Sequence, residues 1–365
     1  MSGPAAPPGA PPATPPGRVP TVAWRDGDTP GAPGRVELLD QTRLPHESVV
    51  LALADVEPVR DALRRLSVRG APAIGVAAAY GLVAGAQHAA ERDAGAFRAH
   101  LAHVAERLVS ARPTAVNLSW AVARCLRAAA PHEAPRAACA ALLAEARAIH
   151  AEDEAACAAM GRHGLALLRD GGTYLTHCNT GRLATAGIGT AFGVFVTGRH
   201  AGLDLTVYAG EVRPLLQGAR LTAYEMEERG LRGRLLPDAA AGALLRSGAV
   251  EGVFVGADRI ARNGDAANKI GTYALAELAR AAGVPFYVVA PVSTLDATLS
   301  DGSLIPIEER PADEVRGFRG ERTAPDGFPV WNPAFDVTPA HLVSAIVTER
   351  GVHRAPYERS LPLPD

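Results

Sequence analysis

The stretch GVFVGADRIARNGDAANKIGTYALA, residues 252–276, decides the fold because it combines a buried strand, a reactive turn and a helix in one crossover unit. Residues 252–256 are apolar and rich in β-branched and aromatic side chains, which is typical of a buried parallel strand. Asp258 follows this strand, and ligands of open α/β sheets bind at the carboxyl ends of strands. The pattern therefore places Asp258 at a candidate site, with a helix cap or a loop acid as the alternative.

Lys269 is the only lysine of the chain, since every other basic residue among the 37 is arginine. A retained lysine indicates a need for a compact ammonium group that reaches a small oxyanion where a planar guanidinium does not fit. An accidental surface lysine is the alternative. We expect Asn268 and Lys269 to open the helix IGTYALAELARAAG, where backbone donors and the helix dipole favour an anion.

Composition narrows the class of protein. A length of 365 residues with 48% hydrophobic and 21% charged residues predicts a globular chain of two domains. A net charge of -2 provides no basic surface for nucleic acid, so no nucleic-acid partner is expected. The apolar runs are shorter than the roughly 18 residues of a membrane span, so no membrane segment is expected.

The four cysteines, Cys125, Cys139, Cys157 and Cys178, lack CxxC spacing and a paired framework. This pattern favours neither a metal site nor disulfides, and it suits a reducing cytoplasm. His100 and His103 lie on a polar helical stretch and are interpreted as solvated rather than metal-binding.

The order of predicted helices and strands along the chain indicates an α/β fold class. Residues 1–19 are a Pro/Gly/Ala-rich tail expected to be disordered, and residues 20–55 read as a small β element with a hairpin. Residues 56–170 have helical periodicity and predict a helical N-terminal domain. Residues 171–352 alternate short strands with helices, which predicts a Rossmann-like parallel-sheet domain. Its predicted strands are the apolar runs TYLTHC, LDLTVYAGE, VFVGAD and PFYVVAP. Residues 353–365 are expected to be a frayed C-terminal tail.

Reactive groups occur at helix breaks and strand ends. Arg69 and Arg112 each precede a proline-containing break, where a guanidinium and free backbone could face one cleft, although each alone could be a solvated charge. Cys178 ends a predicted strand, and Gln217 lies at the start of a helix, where its amide can orient a sugar hydroxyl. His177 is a poor base for Cys178 unless the strand has already ended, because adjacent strand residues point to opposite faces.

We expect these groups to converge on one cleft, which would hold a thiol, a carboxyl group, amides, an ammonium group and two guanidiniums. Such a set predicts a phosphorylated, hydroxyl-rich substrate that undergoes proton movement. A dinucleotide site is not expected. The pair Gly187 and Gly189 lies within a helical run and does not complete GxGxxG, since Gly193 comes one position late.

Several ordered blocks together resemble the 5-methylthioribose-1-phosphate isomerases, the enzymatic relatives of the regulatory subunits of translation initiation factor 2B. The resemblance spans residues 22–352, and it is carried by RGAPAIGVAAAYG, ARPTAVNLSWA, THCNTGRLATAGIGTA, EVRPLLQGARLTAYEM, VGADRIARNGDAANKIGTYALA, PFYVVAPVSTLD, IPIEER and NPAFDVTPAHLVSAIVTERGV.

The resemblance implies a cytoplasmic homodimer that needs no metal or nucleotide cofactor and acts in methionine salvage. It implies catalytic roles for Cys178 and Asp258, and substrate contacts at Arg69, Gly70, Ala71, Arg112, Gln217, Asn268 and Lys269. Relatives that act on 5-deoxyribose 1-phosphate or ribose 1,5-bisphosphate use the same residues, so these substrates remain alternatives. A non-catalytic regulatory protein of the same fold is a further alternative.

Two positions depart from the pattern of that family. Arg182 stands in HCNTGRLAT where a small residue is expected, and Val212 follows Glu211 where threonine is usual. A guanidinium near Cys178 could change the pKa of the thiol or the substrate preference.

Asp258 as a proton donor near neutral pH requires a pKa above its reference of about 3.9, which predicts a dry cleft.

Overall fold

The computed structural model describes residues 19–29, 32–112, 115–318 and 320–363. The N-terminal tail predicted for residues 1–19 lies outside the described residues except for its last position. Within the described ranges, no helix combines the length and the apolar character needed to cross a membrane.

The chain begins with a three-stranded antiparallel sheet in the order β1-β2-β3. Its strands are β1 (Val22–Arg25), β2 (Arg35–Leu39) and β3 (Val50–Leu53). The first two strands form the hairpin expected from the sequence. β3 was not predicted, because its four residues alternate only weakly and half of them are exposed.

Five helices follow the small sheet. They are α1 (Val56–Arg64), α2 (Ala71–Ala86), α3 (Ala94–Val109), α4 (Val116–Ala129) and α5 (Pro135–Leu165). α2 is the central helix, buried at every position except Pro72 and packed against the other four. Its small residues permit this packing, since a Cβ added to Gly81 would lie 2.7 Å from the Val59 side chain.

Strands and helices alternate after α5. The strands are β4 (Thr173–Thr176), β5 (Thr206–Gly210), β6 (Arg232–Leu236), β7 (Gly252–Val255), β8 (Arg259–Ala261), β9 (Ala266–Lys269), β10 (Phe286–Val289), β11 (Leu295–Asp296), β12 (Gly317–Phe318), β13 (Glu321–Arg322), β14 (Phe335–Thr338), β15 (Ala345–Thr348) and β16 (Gly351–His353). The helices are α6 (Ala191–His200), α7 (Ala223–Arg229), α8 (Ala241–Arg246), α9 (Thr272–Ala281), α10 (Asp313–Arg316) and α11 (Tyr357–Ser360).

Seven strands form the main sheet in the order β16-β15-β10-β7-β4-β5-β6, parallel except for the antiparallel edge strand β16. This arrangement confirms the predicted α/β fold with a helical N-terminal part and a Rossmann-like parallel sheet. The four strands predicted from apolar runs are β4, β5, β7 and β10. β6 was missed because its sequence RGRLL is charged and mostly exposed at the sheet edge.

Two expectations about local structure were wrong. Asn268 and Lys269 do not open a helix; they end β9, which pairs antiparallel with β8 and β14, and α9 begins only at Thr272. The described residues at the chain end do not fray. Tyr357 is 1% exposed, and its hydroxyl donates a hydrogen bond to the Val343 carbonyl.

Candidate active site

One pocket contains all nine residues singled out from the sequence. It lies between the start of α2 and the carboxyl ends of β4, β5 and β7, and it encloses about 780 Å³ including its mouth. The nine lining residues are Arg69, Gly70, Ala71, Arg112, Cys178, Gln217, Asp258, Asn268 and Lys269. Their convergence is a geometric observation, and their individual roles stay predictions.

Cys178 presents its thiol to this pocket from a turn that follows β4. Its backbone is left-handed, with a φ of 64°, and its carbonyl accepts a 2.6 Å hydrogen bond from the Thr222 hydroxyl. Arg69 lies against it, with Nη1 3.6 Å from the sulfur and Nη2 donating to the Asn179 carbonyl at 2.6 Å. A guanidinium in this position can stabilise negative charge that develops on the sulfur.

Asp258 lies three residues after the last residue of β7, at the strand end that the sequence predicted. Burial raises the pKa of its carboxyl group, and the charge of Glu308 adds to the increase. The positive charges of Arg69, Arg112 and Lys269 oppose the increase but do not cancel it. A carboxyl group with a raised pKa is suited to donate a proton.

Lys269 is 6% exposed, so the alternative of a surface lysine is wrong. Burial lowers the pKa of its ammonium group, and the neighbouring Cys178 and Asp258 offset this only in part. The neighbouring Asn268 donates a 3.0 Å hydrogen bond to the Thr272 hydroxyl, which in turn donates to the Lys269 carbonyl at 2.6 Å. These bonds hold the end of β9 against the start of α9.

The start of α2 provides backbone donors to the pocket. Gly70 caps the helix with a φ of 93°, and no side chain caps the first turn. A Cβ at Gly70 would lie 2.5 Å from the Ala184 Cα, so only glycine permits this close approach. The N–H groups of Gly70 and Ala71 at this helix start lie next to Arg69, a combination that favours an anion, and Pro72 in the same turn has no N–H.

An ion network that sequence reasoning did not find joins the helical part to the sheet part. Arg112 donates to Glu308 at 2.8 Å, and Arg310 donates to the other oxygen of Glu308 at 3.0 Å. Burial favours the protonated form of Glu308, but the two arginines outweigh it and lower the pKa. The block IPIEER was the available signal, since it contributes Glu308 and Arg310, and Arg310 lines the pocket.

His177 faces away from the candidate nucleophile. β4 has ended at Thr176, yet the imidazole lines a separate cavity with Asp238, and its Nε2 bonds to the Ile270 carbonyl at 2.9 Å. Burial lowers the pKa of this imidazole. The structure therefore provides no Cys178–His177 pair.

The two departures from the family pattern lie outside the pocket. Arg182 is buried, and its guanidinium makes two bonds to Glu228 at 2.7 and 2.8 Å and one to the Val19 carbonyl at 3.3 Å. Val212 is buried with a φ of 65°, and its N–H donates to Asp238 at 2.9 Å. Neither side chain lines the pocket.

No group of three or more His, Cys, Asp or Glu side chains that could hold a metal ion occurs among the residues that the structure describes. All four cysteines are free thiols.

Residues 67–355 match the model of the Initiation factor 2 subunit family. The match covers most of the chain, so the chain belongs to this family.

Individual relatives match the chain over nearly its whole length. The methylthioribose-1-phosphate isomerase of Pelotomaculum thermopropionicum is 53% identical over 331 residues, covering 90% of this chain and 91% of the relative. The 5-deoxyribose 1-phosphate isomerase of Moorella thermoacetica is 50% identical, covering 94% and 96%. The solved structure of 5-methylthioribose 1-phosphate isomerase from Pyrococcus horikoshii OT3 is 42% identical with a TM-score of 0.84, covering 94% of each chain.

Proposed function

We propose that this protein is an aldose–ketose isomerase that converts 5-methylthioribose 1-phosphate into 5-methylthioribulose 1-phosphate, a step of methionine salvage. The observation that carries the proposal is the meeting of a thiol, a carboxyl group with a raised pKa, an ammonium group and three guanidiniums in one pocket. The names of close relatives support the same reaction.

The substrate determines what the acid must do. A phosphate on the anomeric carbon prevents the usual opening to a free aldehyde, so the ring must open with the phosphate attached. In the proposed mechanism, Asp258 donates its proton to the ring oxygen as the bond between that oxygen and C1 breaks. When the C2 hydroxyl becomes the ketone it releases a proton, which the Asp258 carboxylate takes back.

Cys178 assists the movement of hydrogen from C2 to C1. In the proton route, the thiolate removes hydrogen from C2, an enol forms, and the thiol returns the proton to C1. In the hydride route, the hydrogen moves directly and the sulfur stabilises the cation at C1. Substrate deuterated at C2 separates the two routes, because retention at C1 in light water is expected for hydride transfer and washout for a solvent-exchanging thiol.

In this proposal, the other seven of the nine predicted site residues bind the substrate. The phosphate lies at the start of α2, where Arg69 and the backbone of Gly70 and Ala71 supply donors. Lys269 and Arg112 add positive charge. Gln217 and Asn268 bind hydroxyl groups through their amides.

The identity of the sugar is tested by comparing substrates. The Moorella relative named for 5-deoxyribose 1-phosphate keeps that sugar as an alternative, together with ribose 1,5-bisphosphate. Initial rates of the purified protein are measured on all three 1-phosphates. The value of kcat/KM should be highest for 5-methylthioribose 1-phosphate. A higher kcat/KM for another sugar would replace the proposed substrate.

Two other classes predict no turnover. A regulatory subunit would bind a ligand without isomerising it, and a dehydrogenase would bind a nicotinamide cofactor. Failure to form a ketose from any of the three sugars would favour the regulatory class, and a nicotinamide fluorescence titration that showed binding would favour the dehydrogenase.

Assembly and location are further parts of the proposal. We expect a cytoplasmic homodimer on the basis of the family resemblance. Light scattering on the eluting protein should give twice the 37.9 kDa mass of the chain. A monomer mass at micromolar concentration would contradict the expected dimer.

A further inference from the structure

Asn179, the residue after Cys178, has a buried side-chain acceptor, Oδ1, that the described protein does not satisfy. Its side chain is 3% exposed and lines the pocket. Its Nδ2 donates to Glu225 at 2.7 Å and approaches the Thr222 hydroxyl at 3.4 Å, and neither partner lines the pocket. Its Oδ1 has no hydrogen-bond partner among the described residues. One half of the amide is therefore satisfied by the protein and the other half is not.

Glu225 fixes which half faces the pocket. The carboxylate is 1% exposed and accepts two further hydrogen bonds, from the N–H of Arg182 at 2.8 Å and of Leu183 at 3.3 Å. Burial raises the pKa of this carboxyl group, whereas the charge of Arg182 and the N–H groups that donate to it favour the ionised acceptor. While Glu225 accepts, the amide of Asn179 turns its NH₂ towards it, which leaves Oδ1 as the half of the amide without a partner among the described residues.

Gln217 supplies a second acceptor of the same kind. It is 5% exposed, it lines the same pocket, and its Oε1 also lacks a partner among the described residues. Buried polar atoms in proteins are nearly always hydrogen-bonded, so an unsatisfied acceptor at a pocket points to a ligand that donates. A ribose 1-phosphate in its ring form carries two secondary hydroxyls, at C2 and C3, which match two acceptors.

We propose that Asn179 binds one of these two hydroxyls through Oδ1, and that Glu225 is a positioning residue that holds the amide in this orientation. The inference rests on the proposed function only in that the ligand is a ribose-type 1-phosphate. It adds a specificity-determining contact next to Cys178 and explains why a fully buried carboxylate lies behind the turn that carries the thiol.

Two analogues, each carrying a single hydroxyl, test the contact. 2-Deoxy-5-methylthioribose 1-phosphate keeps the C3 hydroxyl, and the 3-deoxy analogue keeps the C2 hydroxyl. Affinities are measured by titration calorimetry in an Asp258→Asn background, which slows turnover, and an assay for ketose after the titration checks that the 3-deoxy analogue is intact; the 2-deoxy analogue has no C2 hydroxyl and cannot form the ketone. Asn179→Ala should weaken the analogue that keeps the recognised hydroxyl about tenfold, as expected for one buried hydrogen bond, and the other analogue less than about twofold.

If Glu225 positions the amide, substitution of Glu225 should also weaken one deoxy analogue more than the other, although Glu225 itself does not touch the ligand. Glu225→Gln places an NH₂ among donors and allows the Asn179 amide to turn, so it should weaken the same analogue. It also serves as the test if Asn179→Ala does not fold. Glu228→Gln is the matched control, because it lies one turn further on α7 and bonds the side chain of Arg182 rather than the turn.

The outcomes are distinct. Equal weakening of both analogues by Asn179→Ala, or no weakening, would overturn the contact, because a general distortion does not distinguish C2 from C3. The same asymmetry in Glu228→Gln would overturn the positioning role. Failure of the wild-type protein to isomerise 5-methylthioribose 1-phosphate would refute the proposed function alone, since the titration measures binding only.

Discussion

Gly70→Ala should damage both the stability and the substrate site, because Gly70 brings the start of α2 against the turn at Ala184. With a φ of 93° and a ψ of 134°, this backbone lies outside the left-handed helical region and costs an alanine about 1–3 kcal/mol. The added Cβ would lie 2.5 Å from the Ala184 Cα, an overpacking that adds about 1–3 kcal/mol. We therefore expect the free energy of unfolding to fall by about 2–6 kcal/mol.

Gly202→Ala separates the two contributions. Gly202 has nearly the same φ, 91°, but a Cβ there meets nothing within 4 Å. In urea denaturation this control should lose only the backbone part, about 1–2 kcal/mol.

The same displacement should weaken substrate binding in Gly70→Ala alone. Movement of the helix start takes its N–H groups away from the phosphate, so KM should rise about tenfold or more. Equal losses of stability in the two variants, together with an unchanged KM in Gly70→Ala, would refute the claim that this close approach builds the anion site.

Three further predictions follow from charges in and near the pocket. Lys269→Arg keeps the charge but places a larger guanidinium in a site that is 6% exposed, so KM should rise about tenfold, and an unchanged KM would remove the case for an ammonium group. Asp258 must be protonated to donate, so kcat/KM should fall as the pH rises through its raised pKa. Glu308→Gln removes a negative charge that raises this pKa, so in this variant the fall of kcat/KM should begin at lower pH. An unchanged pH profile in Glu308→Gln would argue against Asp258 as the acid. Arg182→Met should lower the free energy of unfolding by about 3 kcal/mol without changing the ranking of the three sugar phosphates, because the side chain bonds Glu228 rather than the pocket; a changed ranking would contradict this.

Much of the sheet was predictable because buried parallel strands are short apolar runs bounded by polar turns. β4, β7 and β10 have this pattern, and Cys178 and Asp258 lie two and three residues after the ends of β4 and β7. β6 has charged, exposed residues and shows no such pattern. β6 pairs with β5 through backbone hydrogen bonds, which the identities of its side chains do not indicate.

The uniqueness of Lys269 indicated a functional residue, but the structural reason offered for it was wrong. The sequence AANK was interpreted as a helix start because α9 follows it closely. Its pairing with β14, nearly 70 residues further along the chain, makes it a strand, and such a distant partner is not visible in a local window. The anion site at a helix start is formed by α2 instead, where Gly70 and Ala71 line the pocket.

The residues that the sequence did not reveal act through partners distant in the chain. Glu308 meets Arg112 across 196 positions, and Asn179 meets Glu225 across 46. Asn, Glu and Arg are common on surfaces, so none of them stands out by type as Lys269 does. Only their burial and bonding in the folded chain identify them.

The most direct test of the account is the rate of ketose formation from 5-methylthioribose 1-phosphate by the wild-type protein and by Asp258→Asn. The substitution keeps the size of the side chain and removes the proton donor. The account predicts turnover by the wild type and a kcat lower by about 10²- to 10⁴-fold in the variant, with the fold retained by circular dichroism. Near-normal turnover by Asp258→Asn would contradict its role as the acid.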